Sequence, residues 1–177
     1  MKAQGHPPPL ADAPRAPRAA RLPRVVVTPA RAGHVHAASE ADLERLLRRL
    51  GARFFYGLAS IELTRGDDGP LAFGRYVAPG RVLLFDVPVP PWRGALHPDD
   101  AARLARAGAV VSRDLVEWPG DSLRAFFLSH VLLHELGHHL LQHHHGKRPS
   151  RIARTGAHEA FAELAAARAR RLLGAPP

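Results

Sequence analysis

Read from the N-terminus, the apolar positions change their period several times, and each change marks an element. Val25–Pro29, "VVVTP", is a short β-branched run. From Ser39 to Leu50 the spacing becomes helical. Leu43, Leu46, Leu47 and Leu50 share one face, and the other positions are mostly charged. Ser39 suits the N-cap, acids crowd the first turn, arginines the last, and Gly51 follows as a stop.

The next stretch reads as strands. Phe54–Thr64 leads into the turn "RGDDGP", then come "LAFGRYVAPG" and "RVLLFDVPVP". Three runs separated by turn residues predict a small antiparallel meander. Arg81–Val87 is the candidate edge strand, because Pro88, Pro90 and Pro91 end its pairing. Pro98–Gly108 predicts a short helix or a loop insertion, and Ala109–Trp118 a further strand. Helical spacing then returns for the rest of the chain. A helix capped by Asp121 or Ser122 should run unbroken to about His145, with Gly146 as its stop. A last helix is expected from about Gly156 to Leu173, with Thr155 as cap and Gly174 as stop.

Composition narrows what this framework can do. The 177 residues and 46% hydrophobic content suit one domain with a real core. The expected organisation is a disordered Pro/Arg-rich tail over 1–24 and a single domain over 25–177. Cysteine is absent, which excludes disulfides, thiolate metal ligands and a cysteine nucleophile. The net charge of +9 is gathered at the ends: residues 1–31 and 146–177 each carry +5, and 32–145 carries −1. That distribution argues against specific nucleic-acid binding and leaves weak association through the basic ends. No stretch is apolar enough for a membrane span or a signal peptide, so no membrane partner and a cytoplasmic location are expected.

The long predicted helix holds the chemistry. Seven of twelve histidines lie between His130 and Gly146. Within them "HELGH" places His134 and His138 at i and i+4, one turn apart on one face. Both imidazoles can then reach one ion at ~2.0–2.1 Å, as zinc requires. Glu135 is rotated ~100° from His134, where a general base for activated water belongs. Catalytic zinc usually takes three protein ligands. His144 is excluded if the helix continues, because it falls roughly 600° round from His138. His145 is about 10.5 Å too far along. The remaining candidates are His158 and Glu159. Glu159 is favoured because Glu163, at i+4, can accept a hydrogen bond from a ligand histidine. His130 and Tyr76 are candidates for the cleft wall, and Tyr56, Tyr76 and Arg154 for stabilising an oxyanion. His139, His143, His144 and His145 are expected to form a solvated helix end.

His134-Glu135-x-x-His138 followed by Glu159-Ala160-x-x-Glu163 resembles the gluzincin metallopeptidases, and "HELGHHLL" is especially similar to the minimal ImmA/IrrE-type members and minigluzincins. The resemblance spans roughly residues 39–173. It implies an α+β, zincin-like domain with a short antiparallel or mixed sheet, an active-site helix and a following glutamate helix. It further implies one Zn²⁺ ion held by His134, His138 and Glu159, with Glu135 as base in peptide-bond hydrolysis on a protein or peptide substrate. Two alternatives keep the motif: a non-catalytic metal-binding regulatory module, and a YbeY-like metal-dependent ribonuclease, which would need His144 as third ligand. Peptide deformylases share His-Glu-x-x-His but use a cysteine ligand that this chain lacks.

Overall fold

The computed structural model describes residues 21–66, 71–144 and 156–174. Most of the expected tail, the cap at Thr155, Arg154, His145 and the stop at Gly146 lie outside the described residues. Residues 21–24 do not belong to a tail. Pro23 is buried, Leu22 packs against the core, and Arg24 opens the first strand.

The architecture is mixed α+β. Strands β1 (Arg24–Val27), β2 (His34–Val35), β3 (Ser60–Thr64), β4 (Gly74–Val77) and β5 (Arg81–Phe85) precede four short ones. These are β6 (Val87–Pro88), β7 (Trp92–Arg93), β8 (Val110–Val111) and β9 (Leu115–Glu117), each of two or three residues, as β2 is. Helices are α1 (Glu40–Leu50), α2 (Pro98–Arg106), α3 (Ser122–Phe126), α4 (Leu133–His144) and α5 (Gly156–Leu173). A π-helical segment, Phe127–Leu132, joins α3 to α4 without a break. No helix among the described residues is long and apolar enough to cross a membrane.

The main sheet runs β1-β3-β5-β4. β1, β3 and β5 are mutually parallel, and β4 is antiparallel to β5. The expected meander is therefore wrong, and so is the edge position of Arg81–Val87. β5 is an interior strand, and β4 is the edge beside it, with β1 at the opposite edge. Burial explains the exchange. Val82, Leu84 and Phe85 are all buried in β5, as an interior strand requires, whereas none of Gly74, Arg75, Tyr76 and Val77 is fully buried. The single strand expected over 109–118 is also corrected. It is a hairpin of β8 and β9, with β7 added to β9.

α1 folds on local rules. Ser39 and Asp42 form a reciprocal capping box, and Leu43, Leu47 and Leu50 are buried. It packs against β1, α5 and the π segment. Its leucines join Ile61, Val82, Leu84, Leu132, Leu133 and Leu136 in one core, where each full burial contributes about 1.5–3 kcal/mol. A carboxylate is buried beside β5. Asp86, just past β5, is held by Arg31 and by the Gly66 N–H. Burial alone would raise its carboxyl pKa. The hydrogen bonds from Arg31 and Gly66 outweigh that and hold it well below the usual carboxylate range.

Candidate metal centre

The site lies where α4 meets α5 under the edge strand β4. Two glycines permit that approach. A Cβ on Gly137, inside the "HELGH" run, would stand 2.6 Å from both the Cα and the carbonyl oxygen of Ala162. Backbone cannot yield as a flexible side chain can, so only glycine lets α5 come this near. Ala162, Ala165, Ala166 and Ala169 are all buried along α5. Gly74 does the equivalent work on β4. A Cβ there would meet Val131 at 2.8 Å and the Leu83 carbonyl oxygen at 2.9 Å.

That packing brings three ligand atoms together. His134 Nε2 is 3.1 Å from His138 Nε2 and 3.1 Å from Glu159 Oε2, and His138 Nε2 is 3.5 Å from the same oxygen. For bonds of 2.0–2.1 Å, two corners of a tetrahedron stand about 3.4 Å apart. The triangle therefore fits one small cation, and His134, His138 and Glu159 form a group that could hold a metal ion. His158, the competing ligand candidate, is not in it. α4 continues unbroken through His144, which keeps that residue roughly 600° round the helix from His138.

Glu163 stands one turn after Glu159, with Oε2 3.6 Å from His134 Nδ1. It contacts the ring nitrogen that faces away from the other ligands, where a carboxylate fixes ring orientation. Its other oxygen accepts a 2.6 Å hydrogen bond from Arg170, which is buried on α5 and also donates to the Ser129 carbonyl of the π segment at 3.2 Å. Contact with His134 and then with Arg170 outweighs partial burial and pulls the Glu163 pKa down to about 2. Burial lowers the His134 pKa, but contact with Glu163 and the charges of Glu135 and Glu159 more than compensate and raise it above the ordinary value.

Glu135 is buried, and its Oε2 accepts the Tyr76 backbone N–H at 2.6 Å. Alternation along the β4–β5 ladder explains the donor. It turns the Tyr76 N–H off the open side of β4, toward the helix below. Tyr76 thus enters the site through its backbone. Its hydroxyl accepts the Gly80 N–H at 3.1 Å, and its ring lies 5.7 Å from that of His139. This side chain is therefore not placed on the cleft wall, where it was expected. Tyr56 is exposed and uses its carbonyl to accept a hydrogen bond from His139. His139 is a further correction. It is buried rather than part of a solvated helix end, and its Nε2–H ties α4 to the loop before β3.

A cavity of about 630 Å³ opens beside the triad. His134, Glu135 and Glu163 form its polar floor, and Phe73, Phe126 and Val131 an apolar wall. His130 lines it as well. Burial and the nearby Arg170 charge, partly offset by Glu163, hold this imidazole below its ordinary pKa and so favour the neutral ring. Arg170, Arg103 and Arg106 line it too, and Leu71 and Gly74 extend it at the N-terminal end of β4. Sequence reasoning missed all three arginines. The only available signal for Arg170 was a charge seven residues, or two helical turns, after Glu163. Compared with known protein families, curated proteins and solved structures, the chain matches none.

Proposed function

We propose that this protein is a zinc-dependent peptide hydrolase of gluzincin type, with a zincin-like fold. The observation that carries the reading is the convergence of His134 Nε2, His138 Nε2 and Glu159 Oε2 beside a buried Glu135 from the same helix. Two imidazoles and one carboxylate match the donor set and spacing of a catalytic zinc site, which keeps one position for water or substrate. When bound, the cation supplies Lewis acidity, acidifying water and polarising a carbonyl oxygen.

The chain's own residues supply the rest. An ionised carboxylate offers about four lone-pair sites. Holding the Tyr76 N–H uses one and orients the Glu135 carboxylate against the triad. Glu135 then takes a proton from the attacking water and passes it to the leaving nitrogen, a role worth about 10²–10⁴ in rate. Glu163, held by Arg170, keeps the His134 ring turned toward the other ligands. The open side of β4, apart from the Tyr76 N–H that Glu135 holds, offers a backbone edge along which an extended peptide can lie.

One observation favours a second reading. The 2.6 Å bond from Tyr76 to Glu135 gives the glutamate a structural partner, as expected of a regulatory module that binds metal without turnover. Zinc content measured beside peptide hydrolysis separates the two. Wild-type protein should hold about one zinc per chain and cleave peptides. Glu135→Gln should keep the zinc and lose at least about a hundredfold in kcat. Glu159→Ala should lose most of the zinc. Zinc without hydrolysis in the wild type selects the regulatory module, and zinc retained by Glu159→Ala rejects the ligand set.

A further inference from the structure

The cavity beside the triad has an unusual charge balance. Its two acids already have partners: Glu135 accepts the Tyr76 N–H, and Glu163 binds Arg170 and contacts His134. Its cations are less fully matched. Arg103 bonds to Asp100 at 3.1 Å and lies over the Phe73 ring, 5.6 Å from its centroid, which keeps the guanidinium at the cavity rim. Arg106, one turn further along α2, also lines the cavity and makes no hydrogen bond or ion pair among the described residues. Phe73, under the Arg103 guanidinium, and Phe126 and Val131 supply apolar lining to the same cavity. They would strip water from a carboxylate bound at the arginines and so strengthen its attraction to them.

The position along β4 gives a direction. The cavity extends from Glu135 toward Gly74, Phe73 and Leu71, the N-terminal end of β4. A peptide pairing antiparallel to β4, the slightly more stable arrangement, runs the opposite way. Its residues after the scissile bond then lie toward Phe73 and the α2 arginines.

Resting on the peptide-hydrolase reading, we propose that this cavity is a subsite for an acidic side chain, Asp or Glu, on the C-terminal side of the scissile bond. Arg103 and Arg106 are its recognition residues. The favoured substrate is thus a peptide segment with a carboxylate just after the cleaved bond.

The test uses fluorogenic peptides that differ only in the residues flanking the scissile bond, with the zinc-loaded full chain. Asp or Glu after the bond should raise kcat/KM roughly fivefold over Asn or Gln, and added salt should erode the ratio. The double variant Arg103→Gln/Arg106→Gln should bring the ratio close to one. Arg106→Glu should favour Lys instead. A wild-type ratio near one, a ratio unchanged in the double variant, or an acidic preference confined to the N-terminal side would overturn the proposal. The same labelled peptides binding to Glu135→Gln protein, followed by fluorescence anisotropy, read the preference without turnover. If no peptide is cleaved but the acid-over-amide ratio persists in binding and is lost in the double variant, the hydrolase reading fails and Arg103 and Arg106 stand as an acid-binding site only. If peptides are cleaved without the ratio, the subsite fails and the hydrolase reading stands.

Discussion

Helices α1 and α4 both carry leucines at helical spacing, yet they meet the rest of the protein in different ways. α1 buries one stripe, Leu43, Leu47 and Leu50, and leaves its arginines in water. α4 is enclosed on several faces. Leu136, Leu140 and Leu141 are buried, and so are Glu135, His138, His139 and Gln142. The first arrangement gains stability from apolar area and a cap. The second must place polar groups against partners, because an unpartnered buried polar group costs about 1–3 kcal/mol. α1 is therefore held by apolar area and its cap, and the α4–α5 pair by matched polar contacts around a group that could hold a metal ion.

Substitutions can break that contrast. The largest effect on stability is expected in α1. Leu47→Ala should cost about 2–5 kcal/mol through the cavity it leaves. It should lower the urea midpoint while zinc bound per folded chain stays unchanged. Gly137→Ala should cost less, about 1–3 kcal/mol from overpacking against Ala162. It should also weaken zinc binding, since α5 must retreat and take Glu159 with it. Equilibrium unfolding and metal titration on the same samples measure both. If Gly137→Ala loses stability but keeps its zinc affinity, the two helices can separate without moving the ligand, and the contrast collapses.

The smallest expected effect is acid dependence in α1. Asp42 accepts the Ser39 side chain and backbone, chiefly through the Ser39 hydroxyl, and these bonds lower its pKa. A carboxyl depressed in the folded state stabilises above its unfolded pKa of about 4 and loses that contribution as pH falls through the lower folded value. Thermal unfolding of the wild type should therefore shift downward below about pH 4. Asp42→Asn should lack that part of the shift and be less stable at neutral pH. An identical pH profile in both proteins would show that the capping box contributes nothing measurable.

The contrast between the helices also explains what could be read from the chain. α1, with its cap, stripe and stop, was legible because each signal lies within a few residues of the next. The His134–His138 pair was legible for the same reason, since i and i+4 face one way on any helix. The sheet was not. β3, β4 and β5 follow one another in sequence, but their order depends on which run buries most side chains, a comparison across the whole domain. His139 failed similarly. It stood among other histidines near an expected helix end, and only the loop at Tyr56 makes its position an interior one. Arg103 and Arg106 sit on a helix whose sequence says nothing about the cavity it borders.

By itself, then, the sequence determined α1 and the helical stretches after Asp121, the charge at the two ends, the absence of sulfur ligands and the two histidines with a glutamate between them. These follow from covalent spacing and helical period. The tertiary structure brought Glu159, which the sequence already favoured over His158, to the histidines, and it alone decided that β4 rather than β5 forms the edge and that Tyr76 meets Glu135 through its backbone. Each of those depends on contacts between segments far apart in the chain. The closest of them, Gly137 against Ala162, exists because one position has no Cβ to keep the two helices apart.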